Sequence, residues 1–402
     1  MKFTVINLGC KVNRVESDDV AAALIAQGGR SVSMEQADLV VVNTCTVTGE
    51  ADKKARKAVR QALRANGYSQ VLVTGCASAI DPGEFRDMDA RVEVVPKGRL
   101  SERIPSDPGA RALRMGESFR TRVSIKVQDG CDHACTFCIV HVARGRATSV
   151  SAARVVDEAV AYARAGAKEI VLTGINLGSY ASEGVDLAGL LERLLERTAA
   201  FDGRGAPPRF RVSSIEPQDV SDNLVDIMAR SEGRVCRHLH LPLQSGSSRV
   251  LSEMARDYSA DWFEALVSRM YERMPMLSLS TDVIVGFPGE TEEDFLMTKE
   301  LVERLAFSRL HVFPYSLREG TPAALRTDQV DEQVKRRRAA QLRRLSAELG
   351  RRDYERRVGT VEQVAVEGDS ALTESYHEIP VPLMAMAGDL VSVVIQPRAE
   401  GC

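Results

Sequence analysis

Long apolar runs are missing from this chain: no stretch approaches the length that crosses a bilayer, so no membrane partner is expected. The one decoy for a processing signal, Leu8-Gly9-Cys10, follows an apolar run that is too short for a signal h-region and is broken by Asn7. A cytoplasmic location is therefore expected. A surplus of positive charge is missing too, since 53 Lys and Arg stand against 56 Asp and Glu for a formal charge of -3. That excludes a uniformly basic nucleic-acid protein. No internal repeat or low-complexity tract is present, which excludes solenoids and arrays. What remains is 402 residues of ordinary globular composition, enough for two or three domains. Eight cysteines in a reducing compartment are more often metal ligands or catalytic groups than disulfides.

Three of those cysteines stand in Gly130-Cys131-Asp132-His133-Ala134-Cys135-Thr136-Phe137-Cys138, at C-x3-C-x2-C spacing within one tight loop. A 4Fe-4S cluster takes one ligand per iron, so a three-thiolate loop leaves one iron open to a further ligand. The rival is a structural Cys3His zinc site completed by His133 or His141. No second C-x2-C knuckle accompanies the loop, and the flanking sequence does not read as a small finger.

A second set is spread along the amino-terminal region. Three apolar runs, Phe3 to Leu8, Asp38 to Val42 and Gln70 to Val73, read as buried parallel strands alternating with helices at about Ser17 to Gln27 and Glu50 to Ala65. Each run passes through a turn into a cysteine: Cys10, Cys45 and Cys76. The carboxyl ends of parallel strands lie along one edge, so three distant cysteines are expected to converge there as a second metal site.

From Arg99 to Phe119 the chain turns polar and reads as a linker. Strands then recur at Val123 to Gln128, Glu169 to Thr173, Phe210 to Ser214, His238 to Leu243, Thr281 to Gly286 and Arg309 to Phe313, with helical patterns between. Six β/α units predict a partial barrel whose cleft lies at the carboxyl ends of the strands. Strand parity sends Leu239, Leu241 and Leu243 outward and His238, His240 and Gln244 into the lumen, and likewise turns Asp282, Arg211 and Ser213 inward. Such a polar lumen suits a zwitterionic ligand. Beyond it, a helix from about Asp331 to Arg352 carries Arg336, Arg343, Arg344, Arg351 and Arg352 as one basic stripe. Short β-like runs from Gly359 to Pro397 predict a small β-barrel. Cys236 reads as core and Cys402 as an exposed terminal thiol.

Two three-cysteine sets in this order, followed by a small β-domain, resemble the radical S-adenosylmethionine (SAM) methylthiotransferases. Asn7-Leu8-Gly9-Cys10-Lys11-Val12-Asn13, Asn43-Thr44-Cys45 and Thr74-Gly75-Cys76 are similar to the family's auxiliary-cluster domain, and Cys131, Cys135 and Cys138 to its SAM-cleaving site. Gly174-Ile175-Asn176-Leu177-Gly178-Ser179-Tyr180 and Ser213-Ser214-Ile215-Glu216-Pro217 resemble the branch acting on N6-threonylcarbamoyladenosine in tRNA. His141-Val142 departs from the Pro-Tyr usual in relatives, and the tail is short and poor in aromatics for a TRAM domain.

The resemblance implies an α/β chain divided as 1–100 for the auxiliary cluster, 101–121 as linker, 122–350 as radical SAM barrel with its basic helix and 351–402 as TRAM-like RNA-binding unit. It implies two 4Fe-4S clusters and SAM, with Phe137, Gly174, Asn176, Arg211, Ser213 and Gln244 around the latter. It implies a tRNA anticodon stem-loop as substrate, gripped by the five stripe arginines, and an electron donor such as flavodoxin or ferredoxin. The expected product is the 2-methylthio derivative. The alternatives within the family are isopentenyladenosine tRNA and a ribosomal protein; outside catalysis, the alternative is a metal-containing RNA-binding protein.

Overall fold

The computed structural model describes residues 1–105, 121–199 and 207–398. Most of the expected linker, 106–120, and Cys402 lie outside the described residues.

The amino-terminal unit is a five-stranded, all-parallel sheet. Arg30–Ser31, Lys2–Asn7, Leu39–Thr44, Gln70–Gly75 and Val92–Val94 lie side by side in that order. Leu39–Thr44 is buried along its whole length because helices cover both faces of a parallel sheet, which is why it reads as an unbroken apolar run. Its side chains alternate between layers: Val40 and Val42 join Ala55 and Val59, while Leu39 and Val41 join Val20 and Leu24. The helix Gly49–Ala65 starts where Thr48 accepts from the Ala51 amide, and it buries Ala55, Ala58, Val59 and Ala62 on one face. The edge strands Arg30–Ser31 and Val92–Val94 are too short to carry a period-two signal. The linker also starts later than expected: Leu100–Arg103 is helical, and Ile104 is buried in one cluster with Phe3, Leu39 and Leu72. Two apolar residues in a polar stretch suffice to pin it to the sheet.

The central unit has the six expected strands, Arg122–Lys126, Glu169–Thr173, Arg209–Val212, His238–His240, Ser278–Val285 and Arg309–Pro314. They form two parallel three-stranded sheets joined by the bridges Phe210↔Val235 and Ser214↔His240. The first and last strands are the edges of this open barrel. The amino-terminal unit lies against both edges. Lys126 donates to Glu16 at 3.1 Å beside the first strand, and Arg318, just past the last, pairs with Asp52 at 2.6 Å. It thereby covers the side on which the barrel fails to close.

The amino ends of the strands are plugged by the carboxyl-terminal segment. Glu169, fully buried, is held by Arg122, Arg209 and Arg211. Arg209 then donates to the Gln363 carbonyl at 2.6 Å, and Arg211 donates to those of Thr373 and Glu374 at 3.0 Å each. Burying Glu169, Arg209 and Arg211 together requires this degree of pairing. Burial opposes ionisation of Glu169, but Arg211, Arg209 and Arg122 hold its carboxyl well below the ordinary carboxylate range. Among the described residues the segment itself is a four-stranded antiparallel sheet, Glu378–Pro380, Ser370–Thr373, Val361–Glu367 and Leu390–Val394 in spatial order. This is the part of the expected small barrel that the structure contains. The helix Glu332–Glu355 buries Leu342, Leu345 and Leu349 and presents the five stripe arginines to solvent.

Candidate metal centres and the cavities between them

Register explains why three distant cysteines meet. Asn7 pairs with Asn43, Asn43 with Thr74 and Thr44 with Gly75, so neighbouring strands end level. Cys10 follows as the cap of the helix Lys11–Ala26, Cys45 follows Thr44, and Cys76 opens the helix Cys76–Ile80. A buried amide network ties the three turns together. Asn13 Nδ2 donates to Asn43 Oδ1 at 3.0 Å and to the Thr44 carbonyl at 2.8 Å, while Thr44 Oγ1 donates to the Thr74 carbonyl at 2.7 Å. Burial raises the Cys45 and Cys76 thiols, and Cys45 is raised further by Cys76 and Cys10, as neighbouring like charges require.

The second set is held by its own loop. Thr136 donates through its amide to the Met254 carbonyl at 3.1 Å and through Oγ1 to that of Glu253 at 2.8 Å, and its carbonyl accepts from Ala323 at 2.9 Å. Burial raises all three thiols, Cys138 to about 11. Arg256 Nη1 donates to Cys135 Sγ at 3.2 Å, and the Val140 amide donates to Cys138 Sγ at 3.4 Å. Arg256 is itself fixed by Glu216 and by Tyr258 Oη at 3.1 Å.

Both sets rely on a glycine whose replacement would force the backbone to shift. Gly75, before Cys76, has φ +102°, and a Cβ there would stand 2.4 Å from the Thr44 carbonyl oxygen. Gly130, before Cys131, has φ +73°, and its Cβ would stand 2.0 Å from that of Arg146. Each turn combines a left-handed backbone with close approach to another chain segment.

Arg144 links Asp129, just before the loop set, to the sheet set. Its side chain is almost wholly buried, donating to Asp129 at 2.6 Å and to Asn13 at 2.7 Å and pairing with Glu16 at 3.3 Å. It also lies against Cys76, whose ionisation it eases in opposition to burial. Burial alone would raise Glu16, but Lys97, Lys126 and Arg144 together hold its carboxyl below the ordinary range.

Two cavities adjoin. The smaller, about 150 Å³, is lined by Phe137, Cys138, Gln244, Asp282, Phe313 and Tyr315 among others. The larger, about 360 Å³, is lined by Cys10, Gly174, Ser213, His240, Asp282 and Phe313 among others. Asp282 and Phe313 belong to both walls, so one continuous region runs from the loop set to the sheet set.

The expected residues divide accordingly. Phe137 and Gln244 line the smaller cavity, and Gly174 and Ser213 the larger. Two expected residues are engaged elsewhere in this structure. Arg211 is spent on Glu169 and on the carboxyl-terminal sheet, because its strand position lies at the plugged end of the barrel. Asn176 is spent on its own loop, donating to Asp219 at 2.8 Å and accepting from the Gly178 amide at 3.1 Å. Of the stripe, Arg351 pairs with Glu355 and Arg352 with Glu348. Cys236 is fully buried, as core. Arg144, Arg256 and Asn13 went unforeseen; Asn13 stands within a quoted motif, whereas a lone arginine carries no local signal.

Among the described residues, no three Cys, His, Asp or Glu side chains converge on a point that would hold a single ion. A 4Fe-4S cluster instead takes its thiolates on separate irons, spaced apart. Three thiols per set, with Arg256 against one set and Arg144 against the other, fit groups that carry negative charge through thiolate ligation.

Family models described as "Radical SAM superfamily" and "Uncharacterized protein family UPF0004" match residues 125–302 and 2–96. The chain is 39% identical over 368 residues to the threonylcarbamoyladenosine tRNA methylthiotransferase MtaB of Bacillus subtilis (strain 168), covering 86% of this chain and 80% of that protein. It is 32% identical over 386 residues to the tRNA-2-methylthio-N(6)-dimethylallyladenosine synthase of Endomicrobium trichonymphae, covering 91% and 89%. Among solved structures, the radical SAM methyltransferase TsrM of Kitasatospora setae, with cobalamin and a [4Fe-4S] cluster bound, superposes with a TM-score of 0.60 at 17% identity, covering 81% of this chain and 77% of that one. That last likeness is one of fold.

Proposed function

Since the chain belongs to the radical SAM methylthiotransferases, an enzyme family whose cofactors are two 4Fe-4S clusters and SAM, we propose that it adds a methylthio group to C2 of N6-threonylcarbamoyladenosine beside the tRNA anticodon. The observation that carries this reading is the placement of Cys138 from one three-cysteine set and Cys10 from the other on adjoining cavities with a shared wall. An unactivated aromatic C–H is not usefully deprotonated at neutral pH, so two separated centres, one for hydrogen removal and one for sulfur delivery, suit the reaction. When bound, the cofactors supply the electron, the deoxyadenosyl radical, the sulfur and the methyl group.

The chain's own residues bind, orient and shield. Cys131, Cys135 and Cys138 would hold the SAM-cleaving cluster, with Arg256 compensating the charge on Cys135 and the rigid Thr136 anchors fixing the loop. Phe137 and Gln244 would contact SAM in the smaller cavity, and Gly174 and Ser213 would line the passage to the target base. Cys10, Cys45 and Cys76 would hold the auxiliary cluster, with Arg144 against Cys76. The base must leave its stack to enter such a cavity. Arg336, Arg343, Arg344, Arg351 and Arg352, with a TRAM-like role for the carboxyl-terminal sheet, would grip phosphates of the anticodon stem-loop. The electron would come from a small cytoplasmic carrier of the flavodoxin or ferredoxin kind.

The test is anaerobic incubation of reconstituted protein with SAM, reductant and tRNA bearing either threonylcarbamoyladenosine or isopentenyladenosine, followed by nucleoside mass spectrometry. Methylthio product from the first tRNA is expected. Turnover of only the second, or of a ribosomal protein alone, would overturn the branch assignment.

A further inference from the structure

The wall of the larger cavity carries more positive charge than the chemistry above uses. Lys11 and Arg309 both line it and both are exposed at its mouth. Asp282 is the one carboxylate in that wall, and it is engaged by His240 Nε2 at 3.2 Å. The Arg309 side chain has no ion-pair or hydrogen-bond partner among the described residues. Lys11 stands over the Tyr376 ring, 5.4 Å from its centre, and has no carboxylate partner among the described residues. The two cations also act on one place. The His311 imidazole in the same wall is held below its ordinary range, first by burial and then by His240, with Arg309 and Lys11 contributing.

A cavity with two cations that lack a carboxylate partner, and one carboxylate already engaged, is built for an anion. The substituents named for the two kinds of relative differ in this respect: a threonylcarbamoyl group ends in a carboxylate, whereas a dimethylallyl group is a neutral hydrocarbon. We propose that Lys11 and Arg309 form a carboxylate-binding subsite that receives the threonine carboxylate of the substrate and so selects between the two hypermodified adenosines. This rests on the substrate reading given above. Lys11 directly follows Cys10, so the same turn that presents the auxiliary thiolate also presents the cation, and an N6 substituent held there keeps the attached purine beside Cys10. An arginine offers two parallel donors to a carboxylate and a lysine a point charge, a pairing that suits one bound carboxylate.

Phosphate is the competing anion, and the test separates the two. Binding of reconstituted holoenzyme would be measured for one tRNA carrying threonylcarbamoyladenosine and for the same tRNA carrying plain adenosine there, so that every phosphate is shared. K11Q and R309Q should each weaken binding of the first about tenfold, the loss of a charge-assisted hydrogen bond, and leave the second within about twofold. K11R should retain most of the preference. Unchanged melting temperatures would show that both variants fold. Equal weakening on both tRNAs would identify a phosphate contact and overturn the proposal, as would no weakening on either. If the wild-type protein converts the isopentenyl tRNA and not the threonylcarbamoyl tRNA, it is the substrate reading that falls, independently of the variants.

Discussion

Cys131, Cys135 and Cys138 belong to one contiguous loop, whereas Cys10, Cys45 and Cys76 are delivered by three adjacent strands of a parallel sheet. The loop set depends on the Gly130 turn and on the Thr136 anchors, which tie one short loop to the barrel at Glu253, Met254 and Ala323. The sheet set depends on strand register, and a slip of one residue in any pair would carry a cysteine away from its partners. Local spacing thus brings the three thiols of one set together, while the other set exists only when the whole amino-terminal unit is folded. The same contrast appears in the arginines: Arg256 reaches Cys135 from the barrel, and Arg144 reaches Cys76 from just beyond the loop, so each cysteine set is completed by a cation that its own spacing does not announce.

The largest expected effect tests whether the sets are independent. Alanine at Cys131, Cys135 and Cys138 should halve iron from about eight to about four per chain and abolish SAM cleavage. Alanine at Cys10, Cys45 and Cys76 should halve iron equally but keep reductive SAM cleavage while eliminating methylthio product. Iron analysis with deoxyadenosine chromatography reads both, and methylthio product from the second variant would break the division.

Next is a group that serves neither set. E169Q leaves the fully buried Arg209 and Arg211, and the partly buried Arg122, short of their counter-charge and should destabilise the chain by about 3–5 kcal/mol, detaching the carboxyl-terminal sheet before either metal site. Because the Glu169 carboxyl is held below its unfolded value of about 4.3, its contribution is complete above that value. It is lost as pH falls further, through the folded value. Denaturant melts of the wild type should therefore show a steeper loss below about pH 4 than E169Q shows; parallel acid profiles would contradict this.

Glycine substitution sharpens the local-versus-register contrast. G130A and G75A each force a Cβ against a carbonyl oxygen and should cost about 1–3 kcal/mol, seen in thermal melts. G130A should reduce iron only at the loop set. G75A should reduce it only at the sheet set and also loosen the Thr44 and Asn43 network, so its melting should broaden. Equal loss at both sites from either variant would mean that the sets are coupled, with Arg144 the obvious route.

The smallest effect concerns the basic stripe. Neutralising Arg336, Arg343 and Arg344 should weaken tRNA binding modestly and lower the salt slope by about 0.9 for each phosphate that is no longer neutralised. Arg351 and Arg352, already paired along the helix, should contribute less. A uniform loss across all five would contradict that ranking.

Much of this was legible in sequence because it is periodic or contiguous. The six barrel strands, the strand parity that buries Leu239, Leu241 and Leu243 while turning His238 and His240 inward, and the C-x3-C-x2-C loop are written in runs of neighbouring residues. For Arg211, parity is only half of the answer. It gave the correct face, but the height of a residue along the barrel, and hence whether it meets a ligand or the carboxyl-terminal plug, has no periodic signature. Asn176 caps its own loop, and a side chain that does so has the same local pattern as one that serves a ligand.

Taken by itself, the sequence determined which residues could ligate metal, which strands exist and which faces they bury, since each follows from spacing, periodicity and side-chain chemistry along the chain. The tertiary structure decided that the amino-terminal sheet covers the open side of the barrel. It thereby set Cys10 and Cys138 on adjoining cavities, brought Arg144 and Arg256 to thiols far away in sequence, and left Lys11 and Arg309 without a carboxylate partner in the same wall. Those outcomes depend on the meeting of distant segments, whose geometry is set by packing and charge pairing rather than by any local pattern.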